Sequence, residues 1–215
     1  MTEIRYQETE PSQPAFLGRI LILGDKLRMD YGKDEEDFIL FDRHEGMVWH
    51  VSKEARRLVG IYAGPASAVW PGDWKLTSEK QPSGPNALTQ VRVNDKLCVE
   101  YKSAPILPAE VRLLRDFRKA LAANQSIAWN STPEDLRDPC NLALDIQSAG
   151  IEYEDGLPIA IRYWDGRARV YQSHRALPVN PGLFALPKGY SRFLVGEPQN
   201  QKKSKLRQPS SSQRK

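Results

Sequence analysis

The chain has 215 residues, 40% of them hydrophobic and 27% charged, which is the balance of a soluble globular protein and the length of one large domain or two small ones. Its formal charge of +4 belongs to the end of the chain: Lys202, Lys203, Lys205, Arg207, Arg214 and Lys215 occur there without an acid, and the remainder holds 25 basic against 27 acidic residues, a balance of −2. A basic nucleic-acid-binding body is therefore excluded, and the longest apolar run, Ile20 to Leu23, falls far short of the roughly 18 to 20 residues that span a bilayer.

In chain order, residues 3–9 alternate as a strand and are followed by a connection through Pro11 and Pro14. A meander follows. Residues 16–23 are apolar on both faces. Residues 26–31 alternate, with Leu27, Met29 and Tyr31 on one face and Lys26, Arg28 and Asp30 on the other. Residues 38–41, 47–51 and 57–62 continue the strand pattern, separated by breaks such as Gly24-Asp25 and His44-Glu45-Gly46. Breaks this short leave no room for helical crossovers, so the pairing is antiparallel.

Residues 63–87 are rich in Pro, Gly and Ser but keep Trp70 and Trp74, which reads as a packed excursion. Strands resume at 88–93 and 96–102. The period then changes: Val111, Leu114, Phe117 and Leu121 fall on one face of a helix that starts near Pro108 and is capped at Asn124, with Arg112, Arg115, Arg118 and Lys119 on the rest. A second helical start lies at Thr132-Pro133-Glu134-Asp135. Residues 140–147 suit either a strand or a helix, and the helix is preferred. Strands return at 158–164, 167–173 and 190–195. The expected fold is α+β, mainly β: an antiparallel sheet with two or three helices inserted near the centre, over a single domain 1–197. Residues 198–215, basic and nearly without apolar side chains, are expected to be a disordered tail.

The familiar chemistries are absent. No GxGxxG or P-loop accompanies Gly24, which precedes a strand and not a helix. His44, His50 and His174 lack metal-ligand spacing, so no metal and no cofactor are expected. The acidic run Asp34-Glu35-Glu36-Asp37 lacks the order of a calcium loop and reads as a solvated hairpin tip. Glu152, Glu154 and Asp155 likewise read as solvated. No catalytic residue is assigned, and a non-enzymatic role is expected. Cys98 and Cys140 are either one disulfide in an oxidising compartment or two reduced core residues.

Two stretches carry a resemblance: GRILILGDKLRMDYG with DFILFDRHEGMVWHVSKEARRL, and GLPIAIRYWDGRARV with PGLFALPKGYSRF. Together they resemble the bacterial lipoprotein-carrier-like superfamily, in an uncharacterised branch. The resemblance implies a strongly curved sheet, a half-barrel whose concave side is covered by helices and holds acyl chains or a partner's apolar segment. It also implies an envelope protein. Met1-Thr2-Glu3-Ile4 has neither a basic nor an apolar leader region, and a strand begins at once, so a missing upstream leader and a periplasmic location are expected, with a cytoplasmic relative as the alternative. A periplasmic location in turn favours a Cys98–Cys140 disulfide.

On this reading Leu27, Met29, Tyr31, Met47 and Trp49 line an apolar cavity for a lipid or lipoprotein acyl chain, or face an envelope partner. The same pattern also describes the plain core face of a sheet. The alternative function is an interaction protein whose basic tail docks on anionic membrane or, with no aromatic residue there to stack bases, less favourably on nucleic acid.

Overall fold

The computed structural model describes residues 1–34, 36–82 and 86–196. The basic tail and Glu35 of the acidic run lie outside the described residues. Twelve strands form one sheet: β1 Thr2–Thr9, β2 Phe16–Leu23, β3 Lys26–Asp30, β4 Phe38–Asp42, β5 Met47–Ser52, β6 Arg57–Tyr62, β7 Leu76–Gln81, β8 Leu88–Val93, β9 Lys96–Ala104, β10 Leu157–Tyr163, β11 Ala168–Ala176 and β12 Ser191–Val195. Their order is β12-β6-β5-β4-β3-β2-β1-β11-β10-β9-β8-β7. The sheet is curved and open, and the fold is mainly β as expected.

Short polar turns produce the antiparallel meander. Gly24 and Gly46 have positive φ (59° and 62°), the left-handed conformation that lets so few residues reverse the chain. The N-terminal strand lies near the centre of the sheet, where β1 is paired between β2 and β11. Two elements depart from the sequence reading. The excursion after Ala63 ends in an edge strand, β7, whose side chains are largely exposed and so carry no apolar alternation. And β12 pairs parallel to β6, a register that follows from the long return after β11 and not from a hairpin.

Helix α1 runs Pro108–Ser131, two turns beyond the cap expected at Asn124. Asn124 is an interior residue there because buried Ser126 and Trp129 continue the packed face. Ser126 Oγ donates back to the Ala122 carbonyl (2.8 Å) and accepts from the Ser67 amide (3.1 Å), tying the excursion to the helix. The start expected at Thr132 is instead the end of α1, followed by a short 3-10 turn at Glu134–Leu136. A second helix, α2, Pro139–Asn141, is capped by Asp138, whose side chain accepts from the Cys140 amide, and continues as a wide π-helical segment, Leu142–Gln147.

The inner face of the sheet packs on α1: Ile4, Tyr6, Ile20, Ile22, Leu27, Phe41 and Val48 meet Val111, Leu114 and Phe117. The outer face of β2–β6 is also buried. Leu21, Phe38, Leu40, Met47, Trp49, Val51 and Leu58 are covered by the return segment 177–190, with Phe184 at its centre. Gly60 makes this possible for Trp49, because a β-carbon at that position would stand 2.6 Å from the indole. Residues 16–23 are thus apolar on both faces only from Ile20 to Ile22; Leu17 is exposed.

The return segment is held by buried charge. Asp30 receives a two-pronged hydrogen bond from Arg19 (2.7 and 2.8 Å) and a third from Arg28 (2.7 Å), while Arg28 also donates to the Leu183 carbonyl (2.9 Å) and stacks 4.0 Å from the centre of the Phe38 ring. Arg28 and Asp30, which the alternation would put on a polar outer face, are therefore among the most buried residues, at 2% and 6% exposure. Burial pushes the Asp30 carboxyl up, but the Arg19 hydrogen bond, the Gly32 amide and Arg28 outweigh it and hold the group below its ordinary value.

At the other end of the sheet, a bulge makes Cys98 the extra residue of β9 opposite β8, and Cys98 is bonded to Cys140. The bond pins the π-helical segment to the inner face among Val91, Val99, Tyr101 and Leu144.

Two outcomes follow. Replacing Cys98 and Cys140 by Ala lowers stability by about 4 kcal/mol on the chain-entropy relation for a loop of this size, read as a lower urea midpoint; titration of the unfolded, unreduced protein finds no free thiol. Arg28→Ala leaves Asp30 short of one cation and the return segment unanchored, and costs about 3 to 5 kcal/mol. Because the folded pKa of Asp30 lies below the unfolded one, its contribution is present above the unfolded value and is lost as pH falls through the folded one. Urea midpoints of the wild type therefore fall below about pH 4, and those of Asp30→Asn start lower and fall less.

Candidate functional site

The alternation of β1 sets the site. Ile4, Tyr6 and Glu8 share the inner face, and the change from apolar to charged along that one face marks where the core stops. Opposite Glu8 stands Arg169 of β11, and the two form an ion pair at 3.1 Å. The neighbouring strands supply Phe16, Met29 and Ile39, with Met29 paired to Ile20 on one side and Ile39 on the other. The result is a cavity of about 300 Å³ whose lining includes these residues, Tyr31 and His50. A second cavity of about 150 Å³ shares Glu8, Glu10, Met29 and Arg169 with it and runs under α1 past Leu114, Phe117, Arg118, Tyr153 and Tyr163. The two adjoin at these shared residues as one cleft at the end of the inner face, and α1 walls only the smaller part.

The deep end of the cleft is polar, and its charges are paired with one another. Arg118 of α1 pairs with Asp145 (2.7 Å) and Glu152 (3.2 Å). Burial would pull the Arg118 pKa down, and the charge of Glu152 and its neighbours holds it up. Burial pushes Tyr6, Tyr153 and Tyr163 above the ordinary phenol value. Tyr6 Oη is buried with no hydrogen-bond partner among the described residues, and its ring lies 5.1 Å from the Arg169 guanidinium carbon.

The five residues expected to line a cavity divide between three places. Met29 and Tyr31 border the cleft, Tyr31 just past the end of β3 and edge-to-face with Phe16 at 5.4 Å. Leu27 is fully buried beneath α1 and lines nothing. Met47 and Trp49 lie on the outer face under the return segment. The cause is register: Phe41 pairs with Leu27 and Val48 with Phe41, so in β5 it is Val48 and His50 that share the face of Leu27 and Met29.

The reading of Glu152 as solvated is corrected: it is 4% exposed and paired with Arg118. The basic helix face is partly neutralised in the same way, since Arg115 pairs with Glu154. Sequence reasoning missed Phe16, Ile39, Phe117, Glu8 and Arg169. For Glu8 a signal existed, a charge on the face of Ile4 and Tyr6. For Phe117 and Arg169 there was none, because neither neighbours the meander in sequence.

Among the described residues no three His, Cys, Asp or Glu side chains are grouped to hold a metal ion, and no helix is long and apolar enough to cross a membrane. No family model matches the chain, and no curated protein matches it. Two solved structures of PNGF-II, in space groups P21 and C2, align over 90% of this chain and 31% and 30% of theirs, at 11% identity and TM-scores of 0.34 and 0.33. The chain thus spans about a third of those proteins' length, and a likeness of that degree carries no argument about fold or activity.

Proposed function

We propose that this protein is a non-enzymatic binding protein of the lipoprotein-carrier-like kind, which holds a lipid, an acyl chain or a partner's apolar segment in the cleft at the end of the sheet's inner face, beside α1. The observation that carries the reading is the cleft itself. It has apolar walls from Phe16, Met29, Ile39, Leu114 and Phe117, and its larger part alone reaches the size at which small-molecule sites begin. Met29 is the apolar residue common to both parts, and a flexible thioether suits a guest of variable shape. The charged groups at the deep end are paired with one another, which is an arrangement for closing off a chain and not for donating a proton or attacking a bond.

The same reading makes it an envelope protein of the periplasm, a compartment in which the Cys98–Cys140 bond persists. The basic tail, residues 198–215, then serves as a solubilising extension or a secondary contact to anionic surfaces.

Calorimetric titration with a neutral single-chain amphiphile, kept below its micelle concentration, tests the reading. A saturable heat with a negative heat-capacity change is expected. Met29→Arg weakens it by roughly tenfold or more, since a long charged side chain then replaces the apolar surface that the guest's chain would cover. Trp49→Phe, on the outer face, leaves the affinity unchanged. No saturable heat with the wild type removes the proposal, and an effect of Trp49→Phe equal to that of Met29→Arg moves the site to the other face.

A further inference from the structure

The charges around the larger part of the cleft do not balance. Its lining carries the acids Glu8, Glu10, Asp30 and Asp37 against the bases Arg19 and Arg169. Both arginines are already engaged: Arg19 with Asp30 (2.7 Å) and Asp34 (2.6 Å), Arg169 with Glu8 (3.1 Å). Asp37 is held by two neutral donors, the Lys53 amide at 2.6 Å and Ser52 Oγ at 3.1 Å, and among the described residues neither it nor Glu10 has an ion-pair partner. Two carboxylates thus border the apolar patch of Phe16, Met29 and Ile39 without an ion-pair partner, the nearby Lys53 ammonium being spent on the Asp34 carbonyl (3.0 Å). Beside them stands the Phe16–Tyr31 pair, with Tyr31 61% exposed and its ring open to a ligand.

Carboxylates and aromatic rings at the rim of an apolar cavity are the groups that recognise an ammonium ion, the first by charge and the second through the electron-rich ring face. We infer that the guest of this cleft is a cationic amphiphile, with its chain against Met29 and Ile39 and its ammonium group at the mouth, held by Glu10, Asp37 and the rings of Phe16 and Tyr31. A fatty acid is the wrong partner. Its carboxylate would meet two unpaired acids, and the arginines that would welcome it are already paired. The inference rests on the cleft being the site of an apolar chain, and it names the headgroup.

Three ligands with the same ten-carbon chain separate the possibilities: decyltrimethylammonium, the neutral decyl maltoside, and decanoate, each titrated into the full-length protein below its micelle concentration at low salt. Decyltrimethylammonium is expected to bind about tenfold or more tighter than the maltoside, and decanoate more weakly than either. The ratio of cationic to neutral affinity falls by about threefold or more in Glu10→Gln, and again when salt is raised to about 0.5 M, where screening shortens the reach of the carboxylates. Asp37→Asn is the second variant, with its urea midpoint measured alongside because Asp37 also binds the Lys53 amide.

Decanoate binding as tightly as the maltoside, or a ratio unmoved by either variant, overturns the inference. Maltoside binding without a cationic preference overturns it while leaving the cleft as an apolar site. Failure of all three ligands removes both.

Discussion

Strands β2, β4, β5 and β6 carry apolar side chains on both faces, and a sheet with two apolar faces has to be covered twice. Helix α1 covers the inner face; the return segment 177–190 covers the outer. Most of the unusual features follow from that second cover. The chain leaves β11 at the centre of the sheet, crosses the outer face, and arrives at the far edge, where the strand it can still form, β12, runs parallel to β6. The crossing brings a backbone carbonyl, that of Leu183, against Arg28, and Arg28 is thereby buried together with the acid that neutralises it. A buried charge without such partners would cost several kcal/mol, so Arg19, Arg28 and Asp30 stand or fall together.

The inner cover explains the cleft. Near Leu114 and Phe117 the helix and the strand ends leave the smaller part of the cleft between them. There the inner face changes from Ile4 and Tyr6 to Glu8, and the wall facing it is made by Met29, Ile39 and Phe117. The polar groups in this region are neutralised among themselves at the deep end and left acidic at the mouth. That gradient, from paired charge through apolar wall to unpaired carboxylate, is the chemical character of the site.

The disulfide belongs to the other half of the molecule. The β8–β9 end of the sheet is covered mainly by the π-helical segment, a short piece with little stability of its own. A covalent bond from Cys140 to the bulged Cys98 holds it in place. Trp70, Trp74 and Trp129 close the same end from the side, with ring centroids 5.8 and 6.4 Å apart.

Local pattern was enough for much of this. The strands of the meander, the first helix and the mainly β class are carried by period-two and period-3.6 spacing and by turn residues, all of which act over a few neighbours. Whether a given face is wet was beyond its reach. Alternation puts Arg28 and Asp30 opposite Leu27 and Met29, but only a segment 150 residues later in the chain makes that second face a buried one. The same holds for the candidate site. Spacing within β3 and β5 marks Met29 and Trp49 equally as apolar alternating positions; the register through β4 puts them on opposite faces, and register is a property of paired strands. The sequence by itself determined which strands and which helix form and which side chains are apolar, because period, turn residues and side-chain chemistry act over a few neighbours. Which of them meet one another, and which border a space, was decided by the tertiary structure, because curvature, register and the crossing of the return segment bring together residues that no local spacing relates.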